Sequence, residues 1–311
     1  MPDGVAITQA RQALRQGSKS FHGAARLFDA PTRRSVTLLY AWCRHCDDVI
    51  DEQILGFRTN APASAHTITH RLVTLREQTI AACAGRASDP IFLGLAEIVA
   101  RHQIPARYPL AHLDGFAMDA AGRSYQTEAD TLDYCWHVAG VVGVMMAIIM
   151  GADNDTTLDR ASDLGIAFQL TNIARDIIDD ARAGRIYLPA DWLRDANIDP
   201  ATIADMPDRT ALAAVATRLI DLAEPYYQSA AIGLRALPPR SAWSIATALR
   251  VYRSIGRKVR TLGPHAWNTR VRTSKLEKLA HLLAASIPAA QAATIGAPDG
   301  PDRTTLWTRP A

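Results

Sequence analysis

The stretch LGIAFQLTNIARDIIDDARAGRIYLP, residues 164–189, combines helical periodicity with a row of oxygen donors. Asn172, Asp176 and Asp180 stand at i, i+4 and i+8, with Gln169 three positions before Asn172, so at 3.6 residues per turn all four share a face. A second cluster lies far upstream in LLYAWCRHCDDVIDE, residues 38–52. There Asp47 and Asp51 are four apart, Asp48 and Asp51 three apart, and Tyr40 and Arg44 precede them on the same stripe. Like charges four apart destabilise a helix by a few tenths of a kcal/mol per pair, so such rows persist where cations or arginines neutralise them. Both rows are flanked by apolar residues, Val49 and Ile50 in one and Ile177 and Ile178 in the other, which a fully solvated face rarely carries. Solvated faces laced with ion pairs, such as Arg44 with Asp48 and Arg175 with Asp179, are the plainer alternative.

The rest of the chain supports an all-α fold. Of 311 residues 48% are apolar, 21% charged and only 6% aromatic, and Ala, Leu, Arg and Asp dominate over β-branched runs. Periodicity predicts helices over 6–16, 18–28, 32–53, 66–84, 90–103, 108–121, 128–151, 157–182, 209–236, 240–261 and 274–287. No linker divides them, so residues 1–287 are expected to form one helical domain. Residues 288–311, rich in Ala, Pro and Gly, are expected to be a disordered tail. The N-terminus lacks the apolar core of a secretory signal, and no uncharged run reaches the ~20 residues of a spanning helix, which places the chain in the cytoplasm.

Oxygen donors without His or Cys on the two stripes favour Mg²⁺, an ion usually held by one or two carboxylates together with substrate phosphates. A phosphate or diphosphate substrate is therefore implied. The lone pair Cys43 and Cys46 has no second pair to complete a zinc site and no βαβ context for redox work, so the two thiols are expected to pack on a buried helix. HVAGVVGVMMAIIMGA, residues 137–152, reads as a core helix or as the wall of a hydrocarbon site, with Ala139, Gly140 and Gly143 leaving room beside it. From Arg235 to Lys278 the only acidic residue is Glu277, among many Lys and Arg, although the whole chain carries only +3. Such a surface can meet anionic lipid or diphosphate; no nucleic-acid motif accompanies it, and no P-loop or G-x-G-x-x-G occurs.

With these residues in view, the chain resembles the squalene and phytoene synthase family over about residues 12–287. Three blocks carry the likeness: GSKSF followed by LYAWCRHCDDVIDE, then YCWHVAGVVGVMM, then residues 164–189 with their Arg-x-Tyr-x-Pro ending. The resemblance implies the isoprenoid synthase fold, all-α around a central apolar cavity, with two aspartate motifs facing each other across its mouth. Asp47, Asp48 and Asp51 match the first motif and Asn172, Asp176 and Asp180 the second, as ligands of Mg²⁺ or, in its place, Mn²⁺. Asp47, Asp51, Asp176, Asp180, Tyr40 and Tyr134 are the implied catalytic residues. Ser18, Ser20, Phe21, Arg44, Gln169, Asn172, Arg175, Tyr252 and Arg270 are the implied substrate-binding residues.

The implied reaction joins two geranylgeranyl diphosphates head to head through a cyclopropyl diphosphate to phytoene, without NADPH. Two alternatives stay open on the residues. One is squalene or dehydrosqualene synthesis from two farnesyl diphosphates, which would use the same metal ligands; the other is a non-catalytic helical interaction protein of the same fold. An apolar product further implies peripheral contact with the inner membrane and contact with other carotenoid-pathway enzymes.

Overall fold

In the computed structural model of the chain, residues 23, 25–51, 53–54, 57–58, 65–286 and 303–310 are described, those from 51 to 66 by backbone alone. The first described helix, α1, spans Ala30–Asp51. Asp29 caps it by accepting from the Thr32 backbone N–H and hydroxyl at 2.9 and 2.8 Å, and Pro31 suits its first turn. Then come α2 (Ala65–Cys83), α3 (Pro90–His102) and α4 (Arg107–Ala120). α5 (Glu128–Cys135) begins at a capping box of Thr127 and Asp130 and runs through a π-helical turn, Trp136–Gly140, into α6 (Val141–Ile149). α7 (Asp155–Arg182) is capped by Asn154, which accepts from the Thr157 N–H at 2.9 Å. α8 (Ala190–Asp195), α9 (Thr210–Gly233), α10 (Pro239–Leu262) and α11 (Lys275–Ala284) complete the order.

The continuous helix Glu128–Ile149 is long and apolar enough to cross a membrane, yet 61% of its apolar window is buried in the protein. Val141, Val144 and Met145 are wholly enclosed. Its small residues serve packing as well as the cavity. A Cβ on Gly143 would lie 2.3 Å from the Ala161 carbonyl oxygen of α7, and one on Gly165 of α7 2.3 Å from the Ala139 carbonyl oxygen. The space expected beside Gly143 is thus taken up largely by the α7 backbone. α7 packs most extensively on α9 and α6, and buried apolar side chains from Ala25 to Ala285 form one continuous core.

Several boundaries differ from the periodicity. α1 stops at Asp51, short of 53, and is followed by a minimal antiparallel ladder pairing Gln53 with Arg58 and Ile54 with Phe57. The helix expected over 128–151 contains the π turn, where α4 presses close: a Cβ on Gly115 would meet Val138 at 2.7 Å. α8 and a 3₁₀ turn at Pro200–Asp205 lie in a stretch without predicted helix. The expected tail also differs in part. Arg303 and Arg309 pair with α7 carboxylates, and Leu306 and Trp307 pack on the core. The helices expected at 6–16 and over most of 18–28, with Ser18, Ser20 and Phe21, lie outside the described residues, as does the Asp51 side chain.

Candidate active site

α1 and α7 each bring part of their polar stripe to one cavity of about 830 Å³, while Asp48, Arg175, Asp176, Asp180 and Arg270 are not among its lining residues. Tyr40, Arg44 and Asp47 line it from α1, and Phe168, Gln169 and Asn172 from α7. Away from these groups the wall is apolar, with Val142, Met146, Leu164 and Leu237 among its residues. This is the size range of small-molecule sites, and its design is theirs: apolar walls with a few convergent polar groups. Tyr134 and Tyr252 also line it; the Tyr252 ring stacks on Phe168 with centroids 4.2 Å apart.

Each carboxylate row is held by arginine. Arg44 reaches Asp47 through Nη1 at 2.9 Å and donates Nε and Nη2 to Asp48 Oδ1 at 3.0 and 2.7 Å. Arg175 forks onto Asp176, and Arg270 adds Nε and Nη2 bonds of 3.2 and 2.8 Å to the same carboxylate. Burial works against the Asp176 charge, but the bonds from Arg175 and then Arg270 outweigh it and hold its carboxyl below the ordinary range. Asp180, one turn on, has no such partner among the described residues. Burial first and the Asp176 charge second push its carboxyl up to about 7. Arg175 and Arg270 thus flank the second row, and Arg270 reaches it from a loop 94 residues away in sequence.

The donors fit a hard divalent cation. All are oxygens; Asn172 Oδ1 is buried without a hydrogen-bond partner, while its amide donates to Gln169 Oε1 at 3.4 Å. With its carboxyl pushed up to about 7, Asp180 is only part-ionised near neutral pH, and a cation would displace the remaining proton. No three Asp, Glu, His or Cys side chains among the described residues form a ready-made cluster. Neither thiol of the Cys pair competes as a ligand: burial pushes Cys43 up to about 12 and Cys46 well above its ordinary value.

Asp119, Tyr187, Arg185 and His112 are polar lining residues that lay outside the candidates read from the sequence. The Tyr134 and Tyr187 hydroxyls both donate to Asp119, at 3.2 and 3.0 Å, and their rings stack at 4.6 Å. Burial raises both phenols, so they stay neutral donors. Arg185 lines the same region. His112 gives its Nδ1–H to the His137 carbonyl at 3.2 Å, and burial lowers its pKa to about 4, so it is neutral. Tyr187 and Arg185 stood inside the Arg-x-Tyr-x-Pro block. Asp119 and His112 sit on α4, whose sequence has no acidic row to draw attention to them.

A helical fold enclosing a largely apolar cavity, with arginine-bound carboxylates on two of the helices that line it, defines an isoprenoid synthase. Residues 14–277 match the squalene/phytoene synthase family, and the chain belongs to it. It is 55% identical over 305 residues to a phytoene synthase of Pseudescherichia vulneris, covering 98% of each. It is 52% identical over 305 residues to a 15-cis-phytoene synthase of Pantoea ananas, again covering 98% of each. A crystal structure of a dehydrosqualene synthase in complex with ligand superposes with a TM-score of 0.81, covering 92% of this chain and 96% of that one; at 24% identity the likeness is one of fold. Members of the family act on prenyl diphosphates and generally need a divalent metal.

Proposed function

We propose that this chain condenses two molecules of geranylgeranyl diphosphate into 15-cis-phytoene, the first committed step of carotenoid formation. The observation that carries it is a largely apolar cavity of about 830 Å³ that takes Asp47 from the first carboxylate row and Asn172 from the second into its lining. The relatives named above, alike over nearly the whole chain, support phytoene over squalene as product.

The first allylic C–O bond breaks and diphosphate departs. The double bond of the second chain attacks the cation, and loss of a proton closes the cyclopropane of prephytoene diphosphate. A second ionisation, rearrangement and proton loss give the central double bond. Asp47, Asp48, Asp51, Asn172, Asp176 and Asp180 would hold Mg²⁺, or Mn²⁺ in its place. When bound, the metal supplies positive charge against the departing diphosphate. Arg44, Arg175 and Arg270, paired with carboxylates here, are placed to turn to diphosphate oxygens once cations neutralise those carboxylates. The Tyr252 and Phe168 faces stabilise cationic carbon, and the apolar wall excludes the water that would trap it. Neutral Tyr134 and Tyr187 hold Asp119 in place at the wall.

Incubating purified protein and Mg²⁺ with geranylgeranyl or farnesyl diphosphate, with and without NADPH, and identifying the hydrocarbon tests the reading. Phytoene from the longer substrate without NADPH is expected; a C30 hydrocarbon as the main product would overturn it.

We also place the chain at the cytoplasmic face of the inner membrane. α11 exposes Leu276 (79%), Leu279 (51%) and Leu283 (63%) beside Lys275, while Lys278, Leu279 and Leu282 line the cavity, giving an apolar product a short path to lipid. Fractionation at low and high salt tests this, with recovery in the membrane pellet at low salt expected.

A further inference from the structure

The C-terminal residues 303–310 are tied to the face of α7 that points away from the cavity. Arg303 donates Nε and Nη2 to the two oxygens of Asp163, both at 2.7 Å, and its Nη1 lies 3.0 Å from Asp159. Arg309 donates Nε to Asp159 at 2.6 Å and Nη1 to the Tyr108 hydroxyl at 3.1 Å, and it also pairs with Asp155. Between them the Trp307 N–H donates to the Tyr226 hydroxyl at 3.1 Å, and the indole packs 5.5 Å from Trp136. Asp163 is wholly buried, so this is more than a surface contact.

The same carboxylate continues inward. The Ser229 hydroxyl on α9 donates to Asp163 Oδ2 at 2.5 Å, and Arg160 Nη1 donates to the Ser229 hydroxyl and carbonyl at 3.2 and 3.3 Å. Arg160 lines the cavity. Its stem lies against Gly233 of α9, where an added Cβ would come within 2.8 Å of the Arg160 Cβ, and Ala230, Gly233 and Leu234 line the same end. At 1.5 Å per residue Arg160 lies about 24 Å along α7 from Asp176, so this is the end remote from the diphosphate groups.

We propose that residues 303–310 are a positioning strap for the deep end of the cavity, and that Arg303, acting through Asp163, Ser229 and Arg160, sets how long a prenyl chain the site accepts. The inference rests on the prenyl-diphosphate reading above. With Arg303 gone, Asp163 is a buried carboxylate left with the Ser229 hydroxyl, and Arg160 is the guanidinium already bonded to that same hydroxyl. An uncompensated buried charge draws in any counter-charge within reach, so Arg160 turns from the cavity wall toward Asp163 and the floor recedes. The strap therefore holds Arg160 against Gly233 by satisfying Asp163 from behind.

The test compares full-length enzyme with Arg303→Ala, Arg303→Lys and Ser229→Ala, measuring kcat/KM for geranylgeranyl diphosphate and for its C25 homologue, geranylfarnesyl diphosphate. The ratio of C25 to C20 is expected to rise about tenfold in Arg303→Ala, the scale on which apolar pockets discriminate chain length. Arg303→Lys, which keeps charge and loses the fork, should fall between. Ser229→Ala breaks the same relay while leaving the strap its own partner, and decides the matter if Arg303→Ala does not fold. A strap with a purely structural role would lower thermal stability and slow both substrates together; a ratio unchanged in the folded variants would overturn the proposal. Failure of the unaltered enzyme to make hydrocarbon from either diphosphate would overturn the functional reading, and the strap's role with it.

Discussion

α7 carries two rows of acidic or amide side chains with identical spacing and opposite fates. Asp155, Asp159 and Asp163 occupy i, i+4 and i+8 at its N-terminal half; Asn172, Asp176 and Asp180 occupy the same pattern toward its C-terminal end. Arginines from the chain's own C-terminal segment reach all three carboxylates of the first row, down to a forked pair on the buried Asp163. In the second, two arginines converge on Asp176, while the Asp180 carboxyl is pushed up to about 7 and Asn172 keeps an unused oxygen. Spacing alone therefore does not separate a structural row from one built for cations. The distinction lies in whether the protein itself completes the coordination.

The largest effect that would break this contrast is on turnover. Asp176→Ala and Asp47→Ala are each expected to lower kcat by about 10³-fold, the scale on which a developing charge loses its preorganised partner. The fold should survive with a modest loss of thermal stability, because removing Asp176, 14% exposed, strips Arg175 and Arg270 of their shared carboxylate. Steady-state diphosphate release with a melting curve on the same sample checks both halves. Retained turnover in both variants would sink the site assignment.

Asp163→Ala is the mirror case. It leaves Arg303 with Asp159 and the Trp307 carbonyl, and Ser229 with Arg160, but breaks the forked pair at a buried site and is expected to cost about 3–5 kcal/mol of stability. Denaturant unfolding reads this directly. A loss well under 1 kcal/mol would mean that the first row is no more structural than the second.

The second row was legible in the sequence, and the first was not, for a physical reason. Residues 164–189 hold their oxygen donors beside Ile177 and Ile178 within one helix, so both the periodicity and the clustering are local. Asp159 and Asp163 acquire their role from Arg303, 140 residues further on, in a stretch whose composition shows no periodicity at all. The same division runs through the fold. α1, α3, α7 and α10 appear within a few residues of their observed ends because apolar spacing and caps such as Asp29 and Asn154 are written locally. α8 is placed by bonds from the Ala190 and Asp191 N–H groups to the Tyr125 and Gln126 carbonyls, and the π turn by the approach of Gly115. Neither has a local signature. Asp119 and His112 escaped notice likewise, since only tertiary packing brings α4 to the cavity.

The helix that bears both rows is also fixed from its other side. Gly165→Ala would set a methyl 2.3 Å from the Ala139 carbonyl oxygen and 2.7 Å from Gly140 Cα, contacts that rigid backbone cannot relieve. Overpacking of this kind costs about 1–3 kcal/mol. Turnover should fall too, because α7 would shift against α6 along the cavity wall. Parallel melting and activity measurements check this, and an unchanged melting temperature would show that the two helices part freely.

Titration sharpens the contrast in a smaller way. The Asp180 carboxyl stands at about 7 in the folded chain against an ordinary 3.8, so its neutral form is the one the metal-free fold favours. The resulting stabilisation is complete below 3.8 and is lost as pH rises through 7. A cation must displace that proton, so apparent Mg²⁺ affinity should rise between pH 6 and pH 8 and then level off. The Mg²⁺ concentration for half-maximal turnover, followed across that range, should lose its pH dependence in Asp180→Asn if measurable turnover remains. A flat profile in the unaltered protein would mean that Asp180 is already ionised there.

The smallest effect belongs to the outer end of the first row. Asp155 is 88% exposed although its partner Arg309 is only 8% exposed. Arg309 keeps its 2.6 Å bond to Asp159 and its bond to the Tyr108 hydroxyl when Asp155 is removed. Asp155→Ala is therefore expected to cost under about 1 kcal/mol, as exposed ion pairs do. Compared by denaturant unfolding with Asp163→Ala, two turns deeper on the same stripe, it measures how steeply the strap's hold on α7 grows with burial. Equal losses at the two positions would show that charge alone, and not enclosure, ties residues 303–310 to the helix.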